Sequence, residues 1–338
     1  MMRVFTEPHI WQSRSEPGII YDKQHNQKRW IELDVRLLQK LEEILPKENI
    51  LTDEPLSKHT GFRTGGAADF FVTVENYDTI KKIITLAISE KITYYIIGNG
   101  SNLLVSDNGF RGIMIRLSTL PEPVFEDYGA DAVKVTASAG CSLSKLANVC
   151  AARGLKGLEF AAGIPGTVGG AVVMNAGAYG GEIGDCIISA VIMDPEGNIR
   201  VYEKEELCMG YRTSILQEKE GIVLNASFVL REGNPDEIRR IISELAAKRR
   251  EKQPLEYPSC GSTFKRPAGN FAGKLIEEAG LKGFSIGDAT VSEKHAGFVI
   301  NKGEATSAEI YSLIMEVQKR VFENSGVMLE PEVKLLGF

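Results

Sequence analysis

Several things are missing from this 338-residue chain, and each absence narrows what it can be. No apolar run reaches about 18 residues, so no membrane-spanning helix is expected. The first thirty residues are polar and hold no apolar core of a secretory signal, so none is expected either. There is no C-x-x-C pair. The cysteines at 141, 150, 186, 208 and 260 are odd in number and match no zinc spacing. Reduced thiols in a cytoplasm are the simplest account. The histidines at 9, 25, 59 and 295 are scattered, so no metal cluster is expected. Basic residues are not in excess: the formal net charge is -6, which argues against a non-specific nucleic-acid binder. Also absent are the G-x-G-x-x-G spacing, the P-loop lysine and a G-x-S-x-G elbow. With 43% apolar and 25% charged residues, what remains is an ordinary globular chain of two or three domains.

What the chain has in quantity is glycine. Residues 163–184 hold glycines at 163, 166, 169, 170, 177, 180, 181 and 184, and carry no charge before Glu182. Such density weakens helices and strands, so it calls for a reason. Without a Cβ, backbone N–H groups can approach a ligand closely and form an anion-binding concavity. Pro165 stiffens the turn, and the Asn175 amide can bond in both directions. A flexible linker would be polar, whereas this stretch carries Ile164, Val168, Val172, Val173 and Met174. A buried cofactor cradle fits better than a surface loop. Valine at Gly166 or Gly169 is expected to leave a folded protein that holds its cofactor poorly.

Taken in order, residues 1–32 lack periodicity and read as a mobile N-terminal extension. From Leu33, the residues Leu37, Leu38, Leu41 and Ile44 recur at helical spacing until Pro46. Asp69–Val74 reads as a strand. Asn76 caps a helix with Ile80, Ile83, Ile84, Ala87 and Ile88 on one face, and Thr93–Ile97 is the next strand. This βαβ unit ends in Gly98-Asn99-Gly100-Ser101-Asn102. A glycine loop at the carboxyl end of a strand is where open α/β folds place phosphates, although a plain turn would look the same. Two glycine clusters some sixty residues apart could grip one extended ligand. Short strands follow over 112–117, 133–137, 187–193, 199–202 and 222–230, interrupted by a helix over 143–153. Asn234-Pro235-Asp236-Glu237 opens another helix, which turns basic at Lys248-Arg249-Arg250 and stops at Pro254. Thr306-Ser307-Ala308-Glu309 opens a last one, ending near Gly326.

Three further stretches carry reactive groups. Tyr211-Arg212 sits between strands and could be a surface pair. Tyr257-Pro258-Ser259-Cys260-Gly261-Ser262-Thr263-Phe264-Lys265-Arg266-Pro267 brackets hydroxyls and a basic pair between prolines. It could present a hydroxyl, or be a serine-rich turn. Leu329-Glu330-Pro331-Glu332-Val333-Lys334 could be a solvated charged strand.

Taken together, these stretches form a pattern. Thr60-Gly61-Phe62-Arg63-Thr64-Gly65-Gly66, Gly98–Asn102, Gly163-Ile164-Pro165-Gly166, Tyr211-Arg212, Gly261–Phe264 and Leu329–Glu332 stand in the order found in the UDP-N-acetylenolpyruvoylglucosamine reductases. The resemblance runs from about Leu37 to the C-terminus. It implies an α+β protein: an FAD-binding fold of the p-cresol methylhydroxylase type, with two α/β lobes, and a separate α+β substrate-binding domain. The expected bounds are 33–245 for the FAD domain, with lobes of about 33–104 and 105–245. The substrate domain would be 246–338, its 327–338 tail returning to the active site.

The expected FAD-binding residues are Gly98, Asn99, Gly100, Ser101, Asn102, Gly163, Ile164, Pro165, Gly166, Gly169, Gly170 and Asn175, the two glycine loops being what the same resemblance implies. NADPH is the implied reductant and a UDP-sugar enolpyruvyl ether the implied substrate, in cytoplasmic peptidoglycan precursor synthesis. Carried over by motif, Ser262 matches the proton donor, and Arg212 and Glu332 match the groups flanking the substrate carboxylate. Tyr211 is expected to border the substrate, with Lys252 and Arg266 as candidates for diphosphate or carboxylate contacts. The short approach from Gln253 to Ser262 resembles the branch that lacks an insert folding a tyrosine over the substrate. Arg266 stands where the other branch has asparagine. No metal and no nucleic-acid partner is implied, and a monomer is favoured. Two alternatives remain open on the residues alone. One is another flavin oxidoreductase of this fold acting on a hydroxy acid or sugar. The other is a non-catalytic nucleotide-binding regulator.

Overall fold

The computed structural model describes residues 35–118 and 121–338, so the expected 1–32 extension lies outside the described residues. The first lobe is built on helix α1 (35–42) and strands β1 (Ile50–Pro55) and β2 (Ala67–Val74). Helix α2 (Tyr77–Glu90) follows, then β3 (Tyr94–Ile97), β4 (Leu103–Val105) and β5 (Phe110–Leu117). Helix α2 starts where the sequence says it should: Asn76 Oδ1 accepts from the Thr79 N–H at 2.9 Å. Its stripe of Ile80, Ile83, Ile84 and Ala87 is buried, packing with Leu37 and Leu41 of α1 against Phe70, Val72, Ile113 and Ile115 of the sheet.

The sheet order is β1-β2-β5-β3, with β2, β5 and β3 parallel and β1 antiparallel. This adds one strand and corrects one expectation. Residues 50–55 are a strand the sequence reading passed over. Strand β5 is the centre of the first sheet, not the start of the second lobe, so the expected 104/105 boundary falls too early. The reason is that β5 is apolar on both faces, as a strand flanked by two parallel neighbours should be.

The second lobe is an antiparallel sheet. Its strands are β6 (Val124–Asp127), β7 (Ala132–Ser138), the two-residue β8 (Leu155–Lys156), β11 (Ile187–Met193), β12 (Ile199–Glu203) and β13 (Ile222–Glu232), in the order β12-β11-β13-β7-β6 with β8 also on β13. Helices α3 (Leu143–Ala152) and α4 (Val168–Met174) share its core. A two-residue hairpin, β9 (Gly177–Ala178) and β10 (Gly181–Glu182), leads into the short α5 (Ile183–Cys186).

Helix α6 (Pro235–Lys252) opens on Asn234 and carries the chain onward. It is continuous through the expected 245/246 boundary, so the change of domain comes after its end. Beyond it lie α7 (Ala272–Glu278), the sheet β14 (Ser285–Ile286), β15 (Ala289–Val291) and β16 (Val299–Asn301), and α8 (Ser307–Ser325). Their core of Ile276, Leu313, Ile314, Val317 and Val321 takes in Phe62 and Leu104 from the first lobe. The last strand, β17 (Lys334–Leu336), returns to pair in parallel with β4. The chain end is thereby fixed beside the loop that follows β3. No helix among the described residues is long and apolar enough to cross a membrane.

Candidate active site

The two glycine loops meet. Asn99 Nδ2 donates to the Pro165 carbonyl at 2.9 Å, joining the loop after β3 to the turn before α4. Both line one cleft of about 2230 Å³, well beyond the ~300–1,000 Å³ typical of a single small-ligand site. It has room for an extended nucleotide and a second molecule.

Its walls offer donors. Among the described residues, no hydrogen bond takes up the backbone N–H of Asn99, Gly100, Ser101, Asn102, Gly166 or Thr167. Clustered free N–H groups facing a cleft are what an anionic pyrophosphate requires. The glycines allow this approach for different reasons. Gly100 has φ +57°, and a Cβ there would fall 2.0 Å from the His59 carbonyl oxygen. A Cβ on Gly98 would meet Thr167 Oγ1 at 2.5 Å. A Cβ on Gly166 would meet one protein atom within 4 Å, Ser101 Oγ at 3.7 Å, on the wall of the cleft.

Two expectations need correction here. Gly169 and Gly170 line the cleft, but the N–H groups of the first turn of α4 are not free for a ligand. The Val168 and Gly169 N–H groups donate to Cys141 and Ala139 carbonyls, both at 2.8 Å, and the Gly170 N–H to Thr167 Oγ1 at 3.3 Å. Gly169 is glycine because a Cβ would strike Ala139 Cβ at 2.9 Å. Asn175 does not reach the cleft. It is fully buried, caps α4 in the left-handed conformation, and spends its amide inside the protein. Its Nδ2 donates to Glu182 Oε1 and to the Gly210 carbonyl, both at 2.9 Å, and its Oδ1 accepts from the Gly184 N–H at 2.8 Å. Gly210 precedes Tyr211-Arg212, so Asn175 braces the turn that carries Arg212.

That turn is a tight one. Gly210 and Thr213 exchange backbone hydrogen bonds of 3.0 and 3.1 Å around Tyr211 and Arg212. Arg212 takes φ +55°, a value that turns usually assign to glycine. This aims the guanidinium at the cleft. Its Nε donates to Glu332 Oε1 at 2.9 Å and its Nη2 to the Gly177 carbonyl at 2.7 Å. Burial raises the Glu332 carboxyl above the usual carboxylate range, and the Arg212 charge works against that rise. Burial likewise pulls the Lys334 ammonium down, with Lys265 adding to the effect.

Ser262 is exposed on the same cleft. The loop that carries it is stitched to the tail: Thr263 accepts from the Glu332 N–H at 2.8 Å, and the Lys265 N–H donates to the Glu330 carbonyl at 2.8 Å. The tail is in turn tied to the glycine loop, since Asn102 Nδ2 donates to the Glu332 carbonyl at 3.1 Å. Three segments far apart in sequence are thus locked together around Ser262, Arg212 and Glu332.

The proposed substrate contacts divide. Tyr211 Oη accepts from the Arg266 N–H at 3.1 Å, and Arg266 lies over the Phe271 ring. Both Tyr211 and Arg266 border a smaller cavity beside the cleft, and Arg266 lines the cleft as well. Lys252 is exposed and does not line it. Arg249, one helical turn earlier on α6, does. Its guanidinium lies against Gly163 and its Nε donates to Gln253 Oε1 at 2.9 Å. Sequence reasoning also passed over Gln217 and Lys334, which line the cleft and bond to each other. The charged alternation of the last residues hid Lys334.

Comparison with known proteins decides the family. Residues 253–336 match the family model "UDP-N-acetylenolpyruvoylglucosamine reductase, C-terminal domain", and residues 68–202 match "FAD binding domain". The chain is 50% identical over 301 residues to the UDP-N-acetylenolpyruvoylglucosamine reductase of Caldanaerobacter subterraneus subsp. tengcongensis, covering 89% of this chain and 98% of that one. The chain belongs to the UDP-N-acetylenolpyruvoylglucosamine reductase family. The reductase of Clostridioides difficile is 49% identical over 294 residues, covering 87% of this chain and 95% of that one. The crystal structure of the Thermus caldophilus reductase superposes with a TM-score of 0.71 at 36% identity, covering 85% of this chain and 98% of that one. The resemblance read from the motifs and the expected FAD-binding α+β fold both hold. The chain is an FAD-dependent oxidoreductase of this family, and the free N–H groups and Cβ-less walls of the cleft fit that cofactor.

Proposed function

We propose that this reductase converts the enolpyruvyl ether of UDP-N-acetylglucosamine to UDP-N-acetylmuramate in cytoplasmic peptidoglycan precursor synthesis, with NADPH as reductant. Residues beyond the end of α6 would form most of the substrate-binding domain. Bound FAD would supply hydride to the vinyl carbon. The chain's own residues would do the rest. Free N–H groups of 99–102 and 166–167 would hold the cofactor's pyrophosphate. Arg212, fixed by Glu332 and the Gly177 carbonyl, would face the substrate carboxylate and stabilise charge that develops there as the double bond is lost. Ser262 would give a proton to the carbon next to the one reduced, so that one hydride and one proton saturate the bond. Glu332, whose carboxyl burial makes readier to keep a proton, would orient Arg212 and limit the net charge in the cleft.

The observation that carries this reading is the Arg212–Glu332 pair, both members largely buried, standing in the same cleft as Ser262 and the glycine loops. A non-catalytic regulator would have no use for it. An oxidase that attaches its flavin covalently would use a cysteine or histidine. Cys141, Cys150 and Cys186 do not line the cleft, whereas Cys260 and His295 do, and burial pushes the Cys260 thiol up to about 12. The test is spectroscopic. The purified protein should be yellow, bleach with NADPH, and regain its colour on addition of the enolpyruvyl sugar nucleotide. Flavin should be released on denaturation. A protein bleached by NADPH that the sugar nucleotide leaves bleached would defeat the proposal.

A further inference from the structure

Arg212 holds a left-handed backbone conformation without being glycine, and something must keep it there. The side chain of Gln217 is the group in contact with its peptide. Gln217 Nε2 donates to the Arg212 carbonyl at 2.8 Å and to the Val173 carbonyl at 3.1 Å. Its Oε1 accepts from Lys334 Nζ at 2.8 Å. One amide therefore touches three segments: the last turn of α4, the Arg212 turn, and strand β17 of the tail. Lys334 is two residues from Glu332, and its N–H donates to the Asn102 carbonyl at 3.0 Å. Gln217 is thus bonded to the backbone of one member of the Arg212–Glu332 pair and to Lys334, two residues beyond the other, where β17 begins.

We infer that Gln217 is a positioning residue that sets the register between Arg212 and Glu332. The inference rests on the functional reading above. The chemistry explains why glutamine suits the place. The position needs a donor for two carbonyls and an acceptor for an ammonium at once. Glutamate would keep the acceptor and lose the donor. Methionine would keep the volume and lose both. Either way the Arg212 peptide loses its restraint, and a shift of about 1 Å at a group that meets developing charge can cost on the order of 10²-fold in rate.

The test uses the flavin-loaded protein and follows the two half-reactions separately by stopped flow. Gln217→Met should be reduced by NADPH within about twofold of the parent rate. Its reduced flavin should be reoxidised by the enolpyruvyl sugar nucleotide on the order of 10²-fold more slowly. Gln217→Glu, which keeps the Lys334 bond, is measured alongside, so that a methionine variant that fails to fold does not decide the matter. The deciding readout is a double-mutant cycle with Arg212→Ala. If Gln217 acts through Arg212, its substitution adds little in that background, whereas an independent structural role adds its full loss. A parent that does not turn over would remove the functional reading itself. A parent that does, with both Gln217 variants within twofold of it or with fully additive losses, overturns the role of Gln217 alone.

Discussion

The backbone N–H of Glu332 donates to the carbonyl of Thr263 at 2.8 Å, so the residue after Ser262 and the acid at the end of the chain share one hydrogen bond. Their separation in sequence makes this a tertiary constraint. It holds the Ser262 loop rigidly against the segment that pairs with Arg212. A hydroxyl is a weak acid, and it can protonate a carbon only if it is held in place. Ser262→Ala should therefore leave reduction by NADPH nearly normal and slow reoxidation by the substrate by ~10²–10⁴-fold. Ser259→Ala, in the same loop, should be mild. Stopped-flow reoxidation separates them. A normal Ser262→Ala beside a stalled Ser259→Ala would mean the other hydroxyl is the donor.

Glu332 gives a pH signature. Burial raises its carboxyl above the ordinary 4.5, with Arg212 opposing. A raised acid favours the protonated form in the folded state. Its contribution to stability is complete below the unfolded value and is lost as pH rises through the raised one. Glu332→Gln imitates the protonated form at every pH. The melting temperature of the variant should therefore gain on the parent as pH rises above the ordinary 4.5. A difference that stays flat with pH would show that Glu332 titrates as it does in the unfolded chain.

Arg212→Lys keeps the charge and loses the planar fork that reaches Glu332 and Gly177 at once. Turnover should fall by on the order of 10²-fold while NADPH still bleaches the flavin. Steady-state rates beside anaerobic bleaching check it. An unchanged turnover would mean that the Glu332–Gly177 fork is dispensable.

What the sequence disclosed and what it hid follow from how local each signal is. Asn76, Asn234-Pro235 and the Thr306–Glu309 capping box mark their helices because a cap acts within one turn. Ser262, Arg212 and Glu332 were legible as motif positions, and the fold does bring them to one cleft. The central place of β5 and the parallel pairing of β17 with β4 were not legible, since both depend on partners far along the chain. Asn175 misled for a chemical reason. An asparagine that caps a helix and bridges two loops has the same donor and acceptor set as one that holds a ligand. Gln217 carried no motif at all, and its three partners become visible only when α4, the Arg212 turn and β17 converge.

The two glycines at the start of α4 should part company. The Cβ of a valine at Gly166 meets one protein atom within 4 Å, Ser101 Oγ at 3.7 Å, on the wall of the cleft. Gly166→Val should melt near the parent temperature but retain little FAD. Valine at Gly169 runs into Ala139 at 2.9 Å, so the protein itself must move. Overpacking of that kind costs about 1–3 kcal/mol, and Gly169→Val should lower the melting temperature whatever its flavin content. Flavin absorbance per protein, read beside a melt of each variant, distinguishes the cases. Full flavin in Gly166→Val would place the cofactor elsewhere.

Asp107 ties the two halves of the molecule together. It sits in the turn between β4 and β5, and its carboxylate accepts from the N–H groups of Ser307 and Ala308 at 2.8 and 2.9 Å. These are the first two donors of α8, and no helical carbonyl can reach them. Thr306 Oγ1 takes the third, from Glu309, at 3.2 Å. A carboxylate at a helix N-terminus is also favoured by the helix dipole. Ser307 is fully buried, so water cannot readily replace the lost acceptor. Asp107→Ala should cost about 2 kcal/mol, at the upper end of cap losses. Asp107→Asn, which keeps one acceptor oxygen, should cost less. Because Asp107 does not line the cleft, turnover below the melting temperature should be unchanged. Thermal melts of both variants, with hydrogen exchange at 307–308, supply the check. Melting at the parent temperature with unchanged exchange would show that α8 docks on the first lobe without this cap.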